Sequence, residues 1–118
     1  MTDVTILHNK ACSTSRAAMD RIAEAGAVAD VVQYLLHPLD AAELAGLLDK
    51  LEDPATDLVR RDAYFKELGL TDADVATPEQ IIEVLTAHPR LMQRPILVKG
   101  DRAIIGRPKE RVAIFLAD

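Results

Sequence analysis

The order of the first elements restricts how this chain can fold. Residues 3–7 alternate apolar and polar side chains, as a half-buried strand does, and the turn His8–Cys12 leads into a helical pattern of apolar residues. Gly26 ends that pattern, and a second strand-like run occupies 29–35. Two strands joined through a helix pair in parallel by a right-handed crossover. We therefore expect an α/β fold built on this parallel pair.

A helical insert follows over about 40–90. Asp40 and Glu43 have the spacing of a capping box, and Thr77-Pro78-Glu79-Gln80 has the same spacing with proline at the first helical position. Residues 57–68, between these two starts, also have a helical pattern. The inward side chains of that middle helix are predicted to be Leu58, Phe65 and Leu68. The sequence thus predicts three helices in the insert.

The last part of the chain changes to a strand pattern. The runs 95–98 and 102–105 flank Lys99-Gly100-Asp101, and a Gly-Asp centre between two such runs predicts a β-hairpin. A final helix opens at Pro108. The predicted order is β-α-β, three helices, β-β-α, with a mixed four-stranded sheet. No linker or internal repeat interrupts this order, so we expect one domain over 1–118.

Composition argues against several classes of protein. The 118 residues carry a formal net charge of −5, which argues against a general nucleic-acid or membrane-surface binder. One cysteine cannot form an internal disulfide, and one cysteine with three scattered histidines shows no metal-ligand spacing. No apolar run approaches the roughly 20 residues of a membrane span, and the first residues do not have the pattern of a signal peptide. We expect a soluble, cytoplasmic protein without a bound metal.

Cys12 is the candidate reactive group, because it stands where a strand turns into a helix. A thiolate at a helix N-terminus meets unpaired backbone N–H groups and the positive end of the helix dipole, and both lower its pKa. Ser13, Thr14 and Ser15 follow it, while His8 and Lys10 precede it. Such a turn is a suitable environment for a thiolate and for a bound anion. We expect a partly exposed thiolate with a depressed pKa.

Three motifs resemble one known family. The turn His8-Asn9-Lys10-Ala11-Cys12-Ser13-Thr14-Ser15-Arg16 resembles the "H-N-x-x-C-x-x-S-R" turn of the glutaredoxin-coupled arsenate reductases. Gln93-Arg94-Pro95-Ile96 and Ile105-Gly106-Arg107-Pro108 are similar to the two "R-P" motifs of that family. The predicted order of elements is similar to the thioredoxin-like fold of these enzymes, and the chain looks like their shorter branch. The resemblance implies an oxidoreductase of arsenic resistance.

The resemblance also implies roles for individual residues. Cys12 matches the nucleophile that attacks the arsenic of bound arsenate. Arg94 and Arg107 match the arginines that hold the anion, and Arg60 matches a third, although the neighbouring Arg61 leaves open which of the two faces the site. His8 and Ser15 match positions associated with activating the thiolate. Pro95 is a candidate for a cis peptide bond.

The physical chemistry of arsenate requires the same kinds of group. Arsenate is a multiply charged tetrahedral oxyanion, so an approaching thiolate needs fixed positive charge and N–H donors around the oxygens. Arginine suits this need because its planar guanidinium donates two hydrogen bonds and keeps its charge. Reduction of arsenate takes two electrons, and the sequence has no second cysteine. The reductant must therefore come from outside, and glutathione followed by glutaredoxin agrees with the family, with no bound cofactor.

Two other functions stay open at the level of sequence. Regulators that bind RNA polymerase share this fold, but they have a second cysteine where this chain has Ser15, and a disulfide switch would need it. A related monothiol oxidoreductase could act on another oxyanion or on glutathionylated substrates. Arsenate-dependent consumption of reducing equivalents would separate the enzyme from the regulator.

Overall fold

Four strands form one mixed sheet in a computed structural model that describes residues 2–118. Strand β1 (Val4–His8) pairs in parallel with β2 (Ala29–Gln33) and antiparallel with β3 (Ile96–Lys99), and β3 pairs antiparallel with β4 (Arg102–Ile105). The strand order across the sheet is β2-β1-β3-β4. The parallel pair and the hairpin predicted from the sequence are both confirmed.

Five α-helices flank the sheet or belong to the insert: α1 (Ser13–Glu24), α2 (Ala41–Lys50), α3 (Ala63–Glu67), α4 (Pro78–Ala87) and α5 (Glu110–Ala117). Within the described residues, short 3-10 turns at Ala55–Leu58 and Asp72–Val75 join the helices of the insert, and a third at Pro89–Leu91 leads from α4 towards β3. None of the helices within residues 2–118 has the length and apolar character needed to cross a membrane.

Local hydrogen bonds and glycine conformations explain why α2, α4, the end of α1 and the hairpin turn lie where the sequence predicts. Asp40 accepts from the Glu43 backbone N–H at 2.8 Å, and the reciprocal bond from Glu43 completes the capping box. Thr77 caps α4 in the same way. Gly26, after α1, has φ of 68°, and Gly100, in the hairpin turn, has φ of 63°. Both glycines lie in the left-handed region that other residues rarely adopt.

The continuous helix predicted over 57–68 is wrong. The chain is extended at Val59, which forms an antiparallel bridge with Met92, and α3 starts only after Asp62. The bridge takes Val59 out of a helical conformation, and the Asp62 side chain then caps a new helix. Leu68, predicted to face inward, is 36% exposed.

The sheet separates two apolar clusters, as the alternation of strand side chains requires. One face packs against α1 and α5, and its buried residues are Val4, Ile6, Ala18, Ile22, Leu97, Ile104, Val112 and Phe115. The other face packs against the insert, where Leu7, Ile96, Ala103 and Ile105 meet residues such as Leu44, Leu58, Phe65 and Ile81. Both layers hold the C-terminal end of β1 in place, and the loop that follows carries Cys12.

Candidate active site

Cys12 occupies the N-cap position of α1, in the extended conformation that ends the loop after β1. Its backbone N–H donates to the Asn9 carbonyl at 3.0 Å, and its own carbonyl accepts from the Arg16 N–H at 3.0 Å. The Asn9 side chain closes the same loop through a 3.0 Å bond from the Ala11 N–H. The residue is 8% exposed, so the sequence-based expectation of a partly exposed thiol is wrong. Cys12 is thus a buried residue at the start of the helix.

The surroundings of the Cys12 sulfur favour the thiolate. Burial alone would raise the pKa of the thiol, because it removes water from the charged form. The Arg94 side chain and the backbone N–H groups of Ser15 and Thr14 act in the opposite direction and outweigh burial, so the pKa of Cys12 lies below its usual value. The Arg94 guanidinium and the first turn of α1 therefore both lower the pKa of Cys12.

Arg94 and Arg107 both lie beside Cys12, although they come from different loops. The Nη2 of Arg107 donates to the Cys12 sulfur at 3.4 Å, and the Nε of Arg107 donates to the Arg94 carbonyl at 2.7 Å. Each arginine precedes a cis proline, Pro95 or Pro108. The cis bond expected at Pro95 is confirmed, and the one at Pro108 was not anticipated. The two loops are therefore tied to each other as well as to the thiol.

Gly106 permits this close approach of the two loops. Its N–H donates to the Pro95 carbonyl at 2.8 Å. A Cβ at this position would stand 2.8 Å from Pro95 Cγ and 2.9 Å from Leu97 Cδ1, closer than real contacts allow. Since the proline ring and the buried leucine cannot easily move aside, the position requires glycine.

Arg60 reaches the same site from an extended segment and not from a helix. Its backbone N–H donates to the Leu91 carbonyl at 2.7 Å, next to the bridge between Val59 and Met92. This pairing holds the Arg60 segment against the segment that leads into Arg94. The pKa of Arg60 is lowered, first by burial and then by the charges of Arg94 and other neighbours. Arg60 thus lies among the other guanidinium groups.

Arg61 uses its donors in local contacts. Its Nε pairs with Asp72 at 3.2 Å, and its Nη1 donates to the backbone carbonyls of Thr56 and Val59. Arg60 instead forms a 2.9 Å ion pair with Asp62 and lies within the electrostatic reach of the site. Of the two neighbouring arginines, Arg60 is the one coupled by charge to Arg94 and Arg107.

His8 and Ser15 form a bonded pair behind the thiol. His8 Nδ1 lies 2.7 Å from Ser15 Oγ, and the same oxygen accepts from the Asn9 N–H at 3.1 Å. Ser15 is fully buried. Burial and the nearby charge of Arg16 lower the pKa of His8, so the ring is neutral at neutral pH. The serine hydroxyl therefore holds the loop, while its backbone N–H acts on the sulfur.

A clamp between Asp53 and Arg111 supports the Arg107 loop and was missed by the sequence reasoning. Asp53 accepts from the Ile105 N–H at 2.8 Å and from Arg111 Nη1 at 2.7 Å. Arg111 Nη1 also donates to the Ile105 carbonyl at 2.8 Å. No local pattern signals this contact, because the two charged residues lie 58 positions apart.

An open depression of about 340 Å³ lies beside Arg107. Its polar lining consists of Arg60, Arg61, Arg107, Arg111, Asp53, Asp57 and Gln93. Arg60 and Arg107 border this depression, whereas Cys12 and Arg94 are not among the residues that line it. Within residues 2–118, no group of three or more histidine, cysteine or acidic side chains is placed to hold a metal ion.

Comparison with known proteins decides the family. The model of the ArsC family matches residues 7–115. The chain belongs to the ArsC family. Its fold is the thioredoxin-like α/β fold that the motifs implied, with the mixed four-stranded sheet seen in structures of this family.

Several relatives in the ArsC family carry the name arsenate reductase. One from Neisseria meningitidis serogroup A is 36% identical over 118 residues, which cover 98% of this chain and 100% of that protein. The protein named YfgD of Escherichia coli K12 is 41% identical over 111 residues, which cover 92% of this chain and 92% of that protein. The solved arsenate reductase of Vibrio cholerae has a TM-score of 0.83 at 32% identity, over 92% of this chain and 93% of that one.

Proposed function

We propose that this protein is an arsenate reductase that depends on glutathione and glutaredoxin, with Cys12 as its nucleophile. The observation that carries the proposal is the convergence of guanidinium groups on one depressed-pKa thiol. Arg107 lies 3.4 Å from the Cys12 sulfur, and Arg94 lowers the pKa of the thiol. Arg60 is electrostatically coupled to both arginines. Two guanidinium groups at the thiolate, with a third coupled to them, suit a multiply charged tetrahedral substrate.

In the proposed first step, the Cys12 thiolate attacks the arsenic of arsenate. A sulfur–arsenic bond forms, and one oxygen leaves as water after it has taken up protons. Arg60, Arg94 and Arg107 hold the remaining oxygens and compensate the negative charge that the thiolate adds. Ser15 and His8 keep the loop and its N–H groups in place around the sulfur.

In the proposed second step, glutathione supplies the electrons. Its sulfur attacks the Cys12 sulfur, a disulfide bond forms, and the electron pair of the broken sulfur–arsenic bond stays on arsenic, which leaves as arsenite. Glutaredoxin then reduces the mixed disulfide and returns Cys12 to the thiol. The external thiols are required in this scheme because the chain has only one cysteine. No cofactor or metal takes part, and a reducing cytoplasmic location agrees with the need for small thiols.

The two other candidate functions explain these observations less well. A regulator that binds RNA polymerase has no evident use for three converging arginines at the thiol. A monothiol oxidoreductase with another oxyanion substrate would use the same site and differs only in the identity of the anion. The oxidation of NADPH, coupled through glutathione reductase, glutaredoxin and glutathione, tests the proposal directly. Arsenate-dependent oxidation that Cys12→Ser abolishes is expected, and its absence with the wild-type protein would contradict the proposal.

A further inference from the structure

Tyr34 stands at the edge of the sheet that carries Cys12. In the parallel pair, Gln33 at the end of β2 lies opposite His8 at the end of β1. Tyr34 therefore follows its strand at the level where the loop to Cys12 begins. The chain turns directly afterwards, because the N–H groups of Leu36 and His37 donate to the Gln33 carbonyl at 2.9 and 3.0 Å. The Tyr34 side chain is directed inward and is 1% exposed.

The Tyr34 hydroxyl is a buried polar group without a hydrogen-bond partner in the part of the chain that the structure describes. The Asn9 side chain is near enough to act on the pKa of Tyr34, but it forms no hydrogen bond with the hydroxyl. Arg94 Nε is the other buried side-chain atom with this property. Buried polar groups are usually paired, so two unpaired ones beside one thiol need an explanation.

The charges around the hydroxyl belong to the candidate active site. Burial is the largest influence on Tyr34 and raises its pKa, against the opposing charges of Arg94 and Arg60. Cys12 is also close enough to act on the same pKa. The phenol therefore keeps its proton at neutral pH and can only approach an anion as a hydrogen-bond donor.

Packing of the ring does not account for the hydroxyl. The ring borders a small apolar cavity together with Leu39, Leu44, Leu85 and Met92. A phenylalanine would satisfy these neighbours equally well and would leave no polar atom unpaired. The hydroxyl is thus the part of Tyr34 that the fold does not require.

We propose that the Tyr34 hydroxyl donates a hydrogen bond to an oxygen of the oxyanion held at Cys12, beside Arg94 Nε. This inference rests on the proposed function and adds a substrate-binding residue to it. A single bound oxyanion would give both unpaired groups an acceptor. Because the phenol is neutral, it adds a directional contact without adding to the charge of the three arginines.

The test compares Tyr34→Phe with Tyr64→Phe and the wild type. Tyr64 is a matched control, since its hydroxyl already bonds His88 Nδ1 at 3.2 Å in the insert. Calorimetric titration with arsenate, in the absence of any reductant, measures affinity, and thermal unfolding without anion measures stability. Tyr34→Phe should weaken arsenate binding about 10-fold or more, the loss typical of a hydrogen bond to a charged group. Its melting temperature without anion should equal or exceed that of the wild type.

The control should show the opposite pattern. Tyr64→Phe should bind arsenate as the wild type does and should melt at a lower temperature, because it leaves His88 without its partner. Unchanged arsenate affinity in Tyr34→Phe would overturn the role of Tyr34 while the proposed function stands. A lowered melting temperature of Tyr34→Phe without anion would overturn it too, because the hydroxyl would then be a structural group. If the wild type binds no arsenate at all, the proposed function itself fails, and the inference about Tyr34 fails with it.

Discussion

Arg107 Nη2 lies 3.4 Å from Cys12 Sγ and thereby joins residues that are 95 positions apart. The contact is supported by hydrogen bonds between side chains and the backbone, since Arg107 Nε donates to the Arg94 carbonyl at 2.7 Å and Asp53 accepts from the Ile105 N–H. The thiol and the guanidinium groups therefore form one preorganised unit, in which the positive charges are already in place before an anion binds.

The pH dependence of Cys12 alkylation should reveal the thiolate. The pKa of Cys12 is lowered, so the rate should rise through an inflection below the roughly 8.5 of free cysteine. Arg94→Ala removes a positively charged side chain that favours the thiolate, so its inflection should move to higher pH. Arg61→Ala, whose guanidinium pairs with Asp72, should leave the inflection in place. A wild-type inflection at or above the free-cysteine value would refute the assignment.

Ser15 should contribute to stability through its hydroxyl. Ser15→Ala leaves the His8 ring and the Asn9 N–H without their buried partner, which should cost about 1–3 kcal/mol of the free energy of unfolding. Ser13→Ala is the control, because Ser13 is exposed at the start of the same helix. Urea unfolding of both variants measures the difference. Equal stabilities would show that the bonds of the Ser15 hydroxyl are not needed.

Glycine at position 106 should be essential for the fold, in contrast to glycine at position 46. Gly106→Ala places a Cβ against Pro95 and Leu97 and should lower stability by about 1–3 kcal/mol. Gly46 lies inside α2 with open space at its Cβ position, so Gly46→Ala should gain about 0.5–1 kcal/mol through higher helix propensity. Thermal and denaturant unfolding check both signs. A neutral Gly106→Ala would mean that the two proline loops can separate.

Lysine at position 94 should replace only part of what the arginine does there. Arg94→Lys keeps the charge and loses the planar guanidinium, so it should retain part of the anion affinity while losing much of the rate. Arg94→Ala should lose both, with affinity for arsenate reduced roughly 10- to 100-fold. Anion titration, supported by steady-state kinetics, separates the two effects. Full affinity in the double variant Arg94→Ala, Arg107→Ala would show that these arginines do not form the site.

The sequence predicted the features that depend on residues close together in the chain. Features that depend on residues far apart in the chain became visible only in the structure. The helix starts at Asp40 and Thr77 and the hairpin turn at Gly100 depend on contacts within a few residues, and all three were predicted correctly. The extended conformation at Val59 depends on pairing with Met92, which no local pattern announces. The motifs indicated Arg60, but only this pairing explains how an arginine outside a helix comes close to Arg94 and Arg107.

The same distinction applies within the candidate site. Cys12, Arg94 and Arg107 stand in recognisable motifs, and the structure brings these residues together. Tyr34 stands in a predicted strand, where an inward aromatic residue is ordinary, and only its unpaired hydroxyl beside the thiol sets it apart. Sequence alone could not show it, because the missing partner is a property of the folded environment.

The most direct test of the account is arsenate-dependent turnover in the coupled assay, with arsenite measured as product. The wild-type protein should release one arsenite for each NADPH oxidised when arsenate, glutathione and glutaredoxin are present together. Cys12→Ser should bind arsenate without turnover, because it keeps the arginines and loses the nucleophile. Wild-type protein that binds arsenate but forms no arsenite under these conditions, or Cys12→Ser that forms it at the wild-type rate, would contradict the account.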